Sequence, residues 1–134
     1  MGQLYAQVLK NSESWCQPEL IIPVPLHPAK LKKRQYNQSE CIANGMASVL
    51  SIPVIANNLI RTENTETQTK KSRFARYENL KDAFVCCDQD SLINKHILIV
   101  DDVITTGATL EACCVLLLEL ENVRVSISTI AFAE

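Results

Sequence analysis

Glycine is scarce in this chain, with three residues in 134, and the shortage excludes two nucleotide-binding signatures at once. No G-x-G-x-x-G dinucleotide fingerprint can be assembled from them, and no G-K-[ST] is present for a Walker loop. Aromatic residues are also few, at 5%, and the net charge is −2, which argues against a nucleic-acid platform covering the whole surface. The longest apolar runs fall far short of the roughly 18 residues a membrane helix needs. No charged-then-apolar leader opens the sequence, so no membrane partner and a cytoplasmic location are expected. C-x-x-C is absent from the six cysteines: Cys86-Cys87 and Cys113-Cys114 are adjacent, Cys16 and Cys41 single. Adjacent side chains oppose each other on a strand and diverge by about 100° on a helix, so neither pair makes a ready chelate. Buried, reduced thiols are the expectation.

What is present is a chain of one-domain size, residues 1–134, with 47% apolar and 21% charged residues. It is organised around residues 97–110, Ile97-Leu98-Ile99-Val100-Asp101-Asp102-Val103-Ile104-Thr105-Thr106-Gly107-Ala108-Thr109-Leu110. The apolar run from His96 to Val100 has the composition of a strand buried on both faces of a parallel sheet. Two carboxylates sit where it runs out, followed by a hydroxyl-rich loop and an apolar helix from Leu110 to Leu120. In open α/β sheets ligands bind beyond the carboxyl ends of the strands, and a helix N-terminus favours anions. A phosphate therefore suits the backbone of Thr105 to Thr109, where Gly107 permits positive φ and the threonines add donors. Asp101 and Asp102 accept only, which suits a ribose diol or a divalent cation. The bland alternative, a buried strand ending in a solvated turn capped by Asp and Thr, leaves the clustering of acids, hydroxyls and glycine to chance. A receiver domain also ends a strand in paired aspartates, but only 32 residues follow Asp102, too few for its remaining strands and helices.

Taken in order, Gln3 to Lys10 reads as a short amphipathic helix and Leu20 to Pro28 as a first strand whose prolines confine it to early or edge-like hydrogen bonding and force an extended path out. A basic loop, Lys30 to Arg34, leads to a helix capped by Asn37 with Glu40 reaching back. Pro53 to Ile60 reads as a second strand, Arg61 to Thr69 as a polar loop, Phe84 to Cys87 as a third strand, and Val123 to Phe132 as the last. Four or five parallel strands wrapped by helices are expected. Ten of the thirteen Lys and Arg fall between positions 30 and 81, against four acids there, so a basic middle could face a polyanion; a solvated charged surface explains any single one of them equally well.

Residues 97–110 resemble the PRPP-binding signature of type I phosphoribosyltransferases. Pro23-Val24-Pro25-Leu26-His27-Pro28 with Arg34-Gln35-Tyr36-Asn37-Gln38 resembles the ComF-type competence branch, although Gln35 and Tyr36 replace its usual Gly and Phe. The resemblance implies an α/β phosphoribosyltransferase-like fold of four to five mostly parallel strands with little or no hood. It implies that Thr105, Thr106, Gly107, Ala108 and Thr109 take the 5-phosphate of PRPP. Asp101 and Asp102 are then the catalytic acids on the ribose and, directly or through water, the holders of Mg²⁺. The diphosphate is assigned to Pro25, Leu26 and His27, with Lys70 and Arg73 closing from a segment, residues 68–84, that covers the site in this family. His27 taken alone reads equally well as a structural histidine packed on the proline-rich turn. Full-length relatives carry an N-terminal cysteine-rich zinc element and this sequence does not, so a fragment and a shorter member are both open. Three functions follow: Mg²⁺-dependent phosphoribosyl transfer to a nucleobase or amine, a non-catalytic PRPP or nucleotide sensor, and a competence accessory handling single-stranded DNA. PRPP or a related sugar phosphate is the expected small-molecule partner, with a homodimer left open.

Overall fold

The computed structural model describes residues 1–62 and 82–133. In chain order they form α1 (Gly2–Lys10), β1 (Leu20–Pro23), α2 (Pro28–Arg34), α3 (Gln38–Leu50), β2 (Leu59–Arg61), β3 (Phe84–Cys86), a 3₁₀ turn (Asp90–Leu92), β4 (His96–Ile104), α4 (Ala108–Leu118) and β5 (Arg124–Phe132). β1, β4 and β5 make a three-stranded parallel sheet in the order β1-β4-β5. The register runs from Leu20↔Ile97 to Pro23↔Val100 on one side of β4 and from His96↔Arg124 to Ile104↔Phe132 on the other. Val54 adds an isolated parallel bridge to Ile21 on the outer edge of β1.

Alternation along the strands divides the core in two. Leu20, Ile22, Ile97 and Ile99 pack under Leu110, Ala112, Cys113 and Leu117 of α4, together with Leu59 and Phe84. Ile21, Leu98 and Val100 pack under Ala43, Met46 and Leu50 of α3 and Ala6 of α1. The unbroken apolar run of β4 is thus explained by a helix on each face, each large side chain contributing about 1.5–3 kcal/mol. α1 crosses α3 closely enough that a Cβ at Gly2 would run into the Ile42 carbonyl.

Four expectations need correction. Lys30 to Arg34 is not a loop: it belongs to α2, which starts at Pro28 with the His27 ring as its cap, a use of proline at the first helical position. The expected second parallel strand divides, Val54 bridging β1 and Leu59–Arg61 pairing antiparallel with β3, so of the five strands three are parallel in the main sheet. Buried Asn58 makes the break, its side chain donating to the Asp88 carbonyl at 2.9 Å and accepting from the Asp88 N–H at 2.7 Å. The acids do not lie past β4 but within it, since pairing with β5 continues through Asp101↔Thr129 and Val103↔Ala131. Of the cysteines, all free, Cys86 and Cys113 are buried, while Cys16, Cys41 and Cys87 are exposed.

β1 is the shorter strand. Its last contact with β4 is the Val24 N–H donating to the Val100 carbonyl at 2.8 Å, and beyond this, among the described residues, β5 is the one strand paired with Asp101 to Ile104. The resulting notch, at the carboxyl end of the sheet, faces the first turn of α3.

Candidate functional site

Two cavities meet at this notch. One, of about 40 Å³, is lined by Asp101 and by Val103 to Leu110. The other, of about 140 Å³, is lined by Val24, Pro25, Leu26, Arg34, Asn37, Gln38, Ser39, Arg61, Asp101, Asp102 and Thr109. Asp101 and Thr109 belong to both.

The small cavity is built by the β4–α4 turn. Gly107 occupies the cap position of α4 at φ 80°, in the left-handed region, and has no side chain with which to close the helix end. The first-turn N–H groups of a helix lack intrahelical partners, so this end offers donors to whatever enters. The Thr106 hydroxyl lies 3.4 Å from the Ala108 N–H, and Thr105 and Thr106 are exposed. A Cβ at Gly107 would meet no atom within 4 Å, so the demand for glycine here comes from the backbone angle and not from crowding.

Between the cavities stand the acids. Asp101 Oδ1 accepts from the Ser39 hydroxyl at 3.0 Å and from the Asp102 N–H at 2.9 Å. Burial raises the Asp101 carboxyl above the usual carboxylate range, and the Ser39 hydrogen bond works against that rise. Asp102 Oδ1 accepts from the Val103 N–H at 2.8 Å. Both carboxylates are half-buried. No group of three or more His, Cys, Asp and Glu able to hold a metal ion occurs among the described residues. An ion that keeps most of its water and takes one or two carboxylates plus substrate phosphates, as Mg²⁺ does, still fits Asp101 and Asp102.

The larger cavity shows which sequence-selected residues converge. Pro25 and Leu26 line it. His27 is not among the lining residues; its Nδ1 accepts from the Ala29 N–H at 3.1 Å and caps α2. Lys70 and Arg73 lie outside the described residues. Arg61, read from sequence as part of a basic middle, and Arg34, read as part of it and of the ComF-type motif, are drawn into the wall, and the Arg61 guanidinium lies 5.4 Å from the Phe84 ring centroid. Asn37, read as a helix cap and as part of the ComF-type motif, and Ser39, read as a helix-start residue, also line the cavity. A basic residue closing the short apolar run Leu59-Ile60 was the available signal for Arg61. Cys113, nearby under the acids, is buried and its thiol is pushed far up, so it is no nucleophile.

Residues 37–134 match the phosphoribosyl transferase domain family. The chain belongs to that family. Within the phosphoribosyltransferases it falls on the ComF branch, being 38% identical over 104 residues to competence protein F of Haemophilus influenzae. It is 35% identical over 101 residues to the DNA utilization protein YhgH of Escherichia coli K12. These alignments cover 77% and 75% of this chain but 45% and 44% of the relatives, so the chain spans a little under half their length. Among solved structures it is similar to a purine phosphoribosyltransferase from Pyrococcus horikoshii, with TM-score 0.57, 20% identity, and coverage of 96% of this chain and 68% of that one. It is also similar to glutamine PRPP amidotransferase from Bacillus subtilis, with TM-score 0.62, 21% identity, and coverage of 96% and 24%. At such identities the structural likeness shows the fold alone. No helix among the described residues is long and apolar enough to cross a membrane.

Proposed function

We propose that the two joined cavities are a PRPP cradle and that the chain transfers the phosphoribosyl group to an acceptor, a nucleobase or an amine. The observation that carries this reading is the position of Asp101 and Thr109 in both cavities, between a helix N-terminus and a wall holding Arg34 and Arg61. The 5-phosphate takes the N–H groups and hydroxyls of Thr105 to Thr109, where the helix dipole favours negative charge. The ribose hydroxyls donate to Asp101 and Asp102. The diphosphate lies along Pro25 and Leu26, with Arg34 and Arg61 opposite its charge and Lys70 and Arg73 as further cations. Asp101 and Asp102 would hold Mg²⁺, which would supply positive charge against the leaving group.

The chemistry then needs orientation more than covalent help. A lone pair of the acceptor forms the bond to C1 as the C1–O bond breaks. The electron pair leaves with the diphosphate, and the acceptor proton passes to water. The centre at C1 is oxocarbenium-like, so fixed donors around the leaving charge act where charge develops. Each charge-assisted hydrogen bond contributes about 1.5–3 kcal/mol, roughly ten- to a hundredfold in affinity. Diphosphate release from PRPP and Mg²⁺, screened over neutral bases, acidic bases and amines, tests the reading: release dependent on one acceptor supports transfer. PRPP binding without release under any acceptor would favour the sensor.

A second reading has its own support. Lys32, Lys33 and Arg34 lie exposed on α2, beside the cradle, and the relatives are named for competence and DNA utilization. Under it the chain handles single-stranded DNA in the cytoplasm, and binding falls steeply with salt as lysine and arginine contacts are screened.

A further inference from the structure

α2 presents a mechanical problem. None of its residues is buried, while Pro25 and Leu26 before it are partly buried. The segment is held at its ends. Val24 is tied to β4 through the Val100 carbonyl, and the Asn37 side-chain amide donates to the Val24 carbonyl at 3.0 Å. Asn37 Oδ1 accepts from the Ser39 N–H at 3.0 Å, capping α3. The Ser39 hydroxyl then donates to Asp101 at 3.0 Å. A continuous chain of hydrogen bonds therefore runs from the end of β1, through the first turn of α3, to the acid on β4. Both middle members are buried, Asn37 at 9% exposure and Ser39 at 4%.

We propose that Asn37 and Ser39 are positioning residues that hold the diphosphate turn and the ribose acid in one register, so that the two ends of PRPP bind as a linked pair. This rests on the cradle reading given above. When two subsites match the spacing of one ligand, the second contact forms at high effective concentration, and the gain disappears when the spacing is lost. A misplacement near 1 Å is enough to cost about a hundredfold in a well-matched site. Neither residue has to touch the substrate for this.

The variants separate register from folding. Asn37→Ser keeps a capping oxygen for α3 but is too short to reach Val24. With Mg²⁺ present, PRPP binds wild type far more tightly than ribose 5-phosphate or inorganic diphosphate. Asn37→Ser weakens PRPP by about tenfold or more, while each fragment stays within about threefold of its wild-type affinity. Ser39→Ala weakens PRPP and ribose 5-phosphate by about tenfold and leaves diphosphate unchanged, and Ser39→Thr, which retains the hydroxyl, restores both. The inference is overturned if Asn37→Ser leaves PRPP binding intact, or weakens the fragments as much as PRPP. It is overturned alone if wild type holds PRPP no better than its fragments. If wild type binds no PRPP, the cradle reading falls and takes this one with it.

Discussion

The two ends of β4 use polar groups in opposite ways. At the amino end His96 is buried, its Nε2 lies 2.7 Å from the Ser126 hydroxyl, and its N–H donates to Glu19 at 2.8 Å. Glu19 in turn lies 3.7 Å from the Lys95 ammonium, while the other ring nitrogen of His96, Nδ1, is buried with no hydrogen-bond partner among the described residues. At the carboxyl end Asp101 and Asp102 also accept hydrogen bonds, yet they line open cavities beside a helix whose cap residue, Gly107, has no side chain. One strand thus carries polar groups turned mostly towards each other and polar groups left facing a cavity. The first arrangement stabilises; the second is what a ligand site requires.

Substitutions should break that contrast in a definite order. The largest effect is expected at Gly107: valine there is forced into the left-handed region, at about 1–2 kcal/mol of folding stability. Because the turn would shift to relieve that strain, PRPP affinity should fall by roughly a hundredfold or more, measured by calorimetry. Asp102→Asn comes next, weakening PRPP by about tenfold or more while the melting temperature barely moves. Equal affinity would remove the diol assignment.

Asp101→Asn sharpens the comparison because its two effects have opposite signs. Burial raises the folded-state pKa of Asp101, so ionisation opposes folding, and stability present below the unfolded pKa is lost as pH rises through the folded value. The asparagine variant should therefore melt no lower than wild type at neutral pH while binding PRPP more weakly. A lower melting temperature would contradict the sign. The smallest effect is expected at the amino end. Burial lowers the His96 pKa from its ordinary 6.5, so the folded state binds fewer protons than the unfolded chain. Stability should decline as pH falls from about 6.5 through the depressed folded value, and His96→Gln should flatten that slope without touching PRPP affinity.

The contrast also explains what could be read from the residues. The β4–α4 unit was legible because its parts are contiguous: apolar run, acids, hydroxyls and glycine fall within residues 97–110, and the helix covering one face of the strand follows at once. The opposite wall was not, because its geometry is set by partners far apart in sequence. Asn58 turns the chain by engaging residues 86–91, Asp88 above all, and Arg61 stands on a strand, β2, that is set by its pairing with β3. The extent of β4 was hidden for the same reason, since its last residues are strand only through Ile104↔Phe132 and neighbouring pairs with β5. α2 was misread despite a local cue, the proline at its first position, because a run of lysines reads as a solvated loop until a cap is found for it.

A crystal structure of the chain with PRPP and Mg²⁺ tests the central claim most directly. The account predicts the 5-phosphate on the N–H groups of residues 105–109, the ribose hydroxyls on Asp101 and Asp102, and the diphosphate between the Pro25–Leu26 turn and Arg61. A ligand bound elsewhere, or the same cavities filled only by solvent at saturating PRPP, would contradict it.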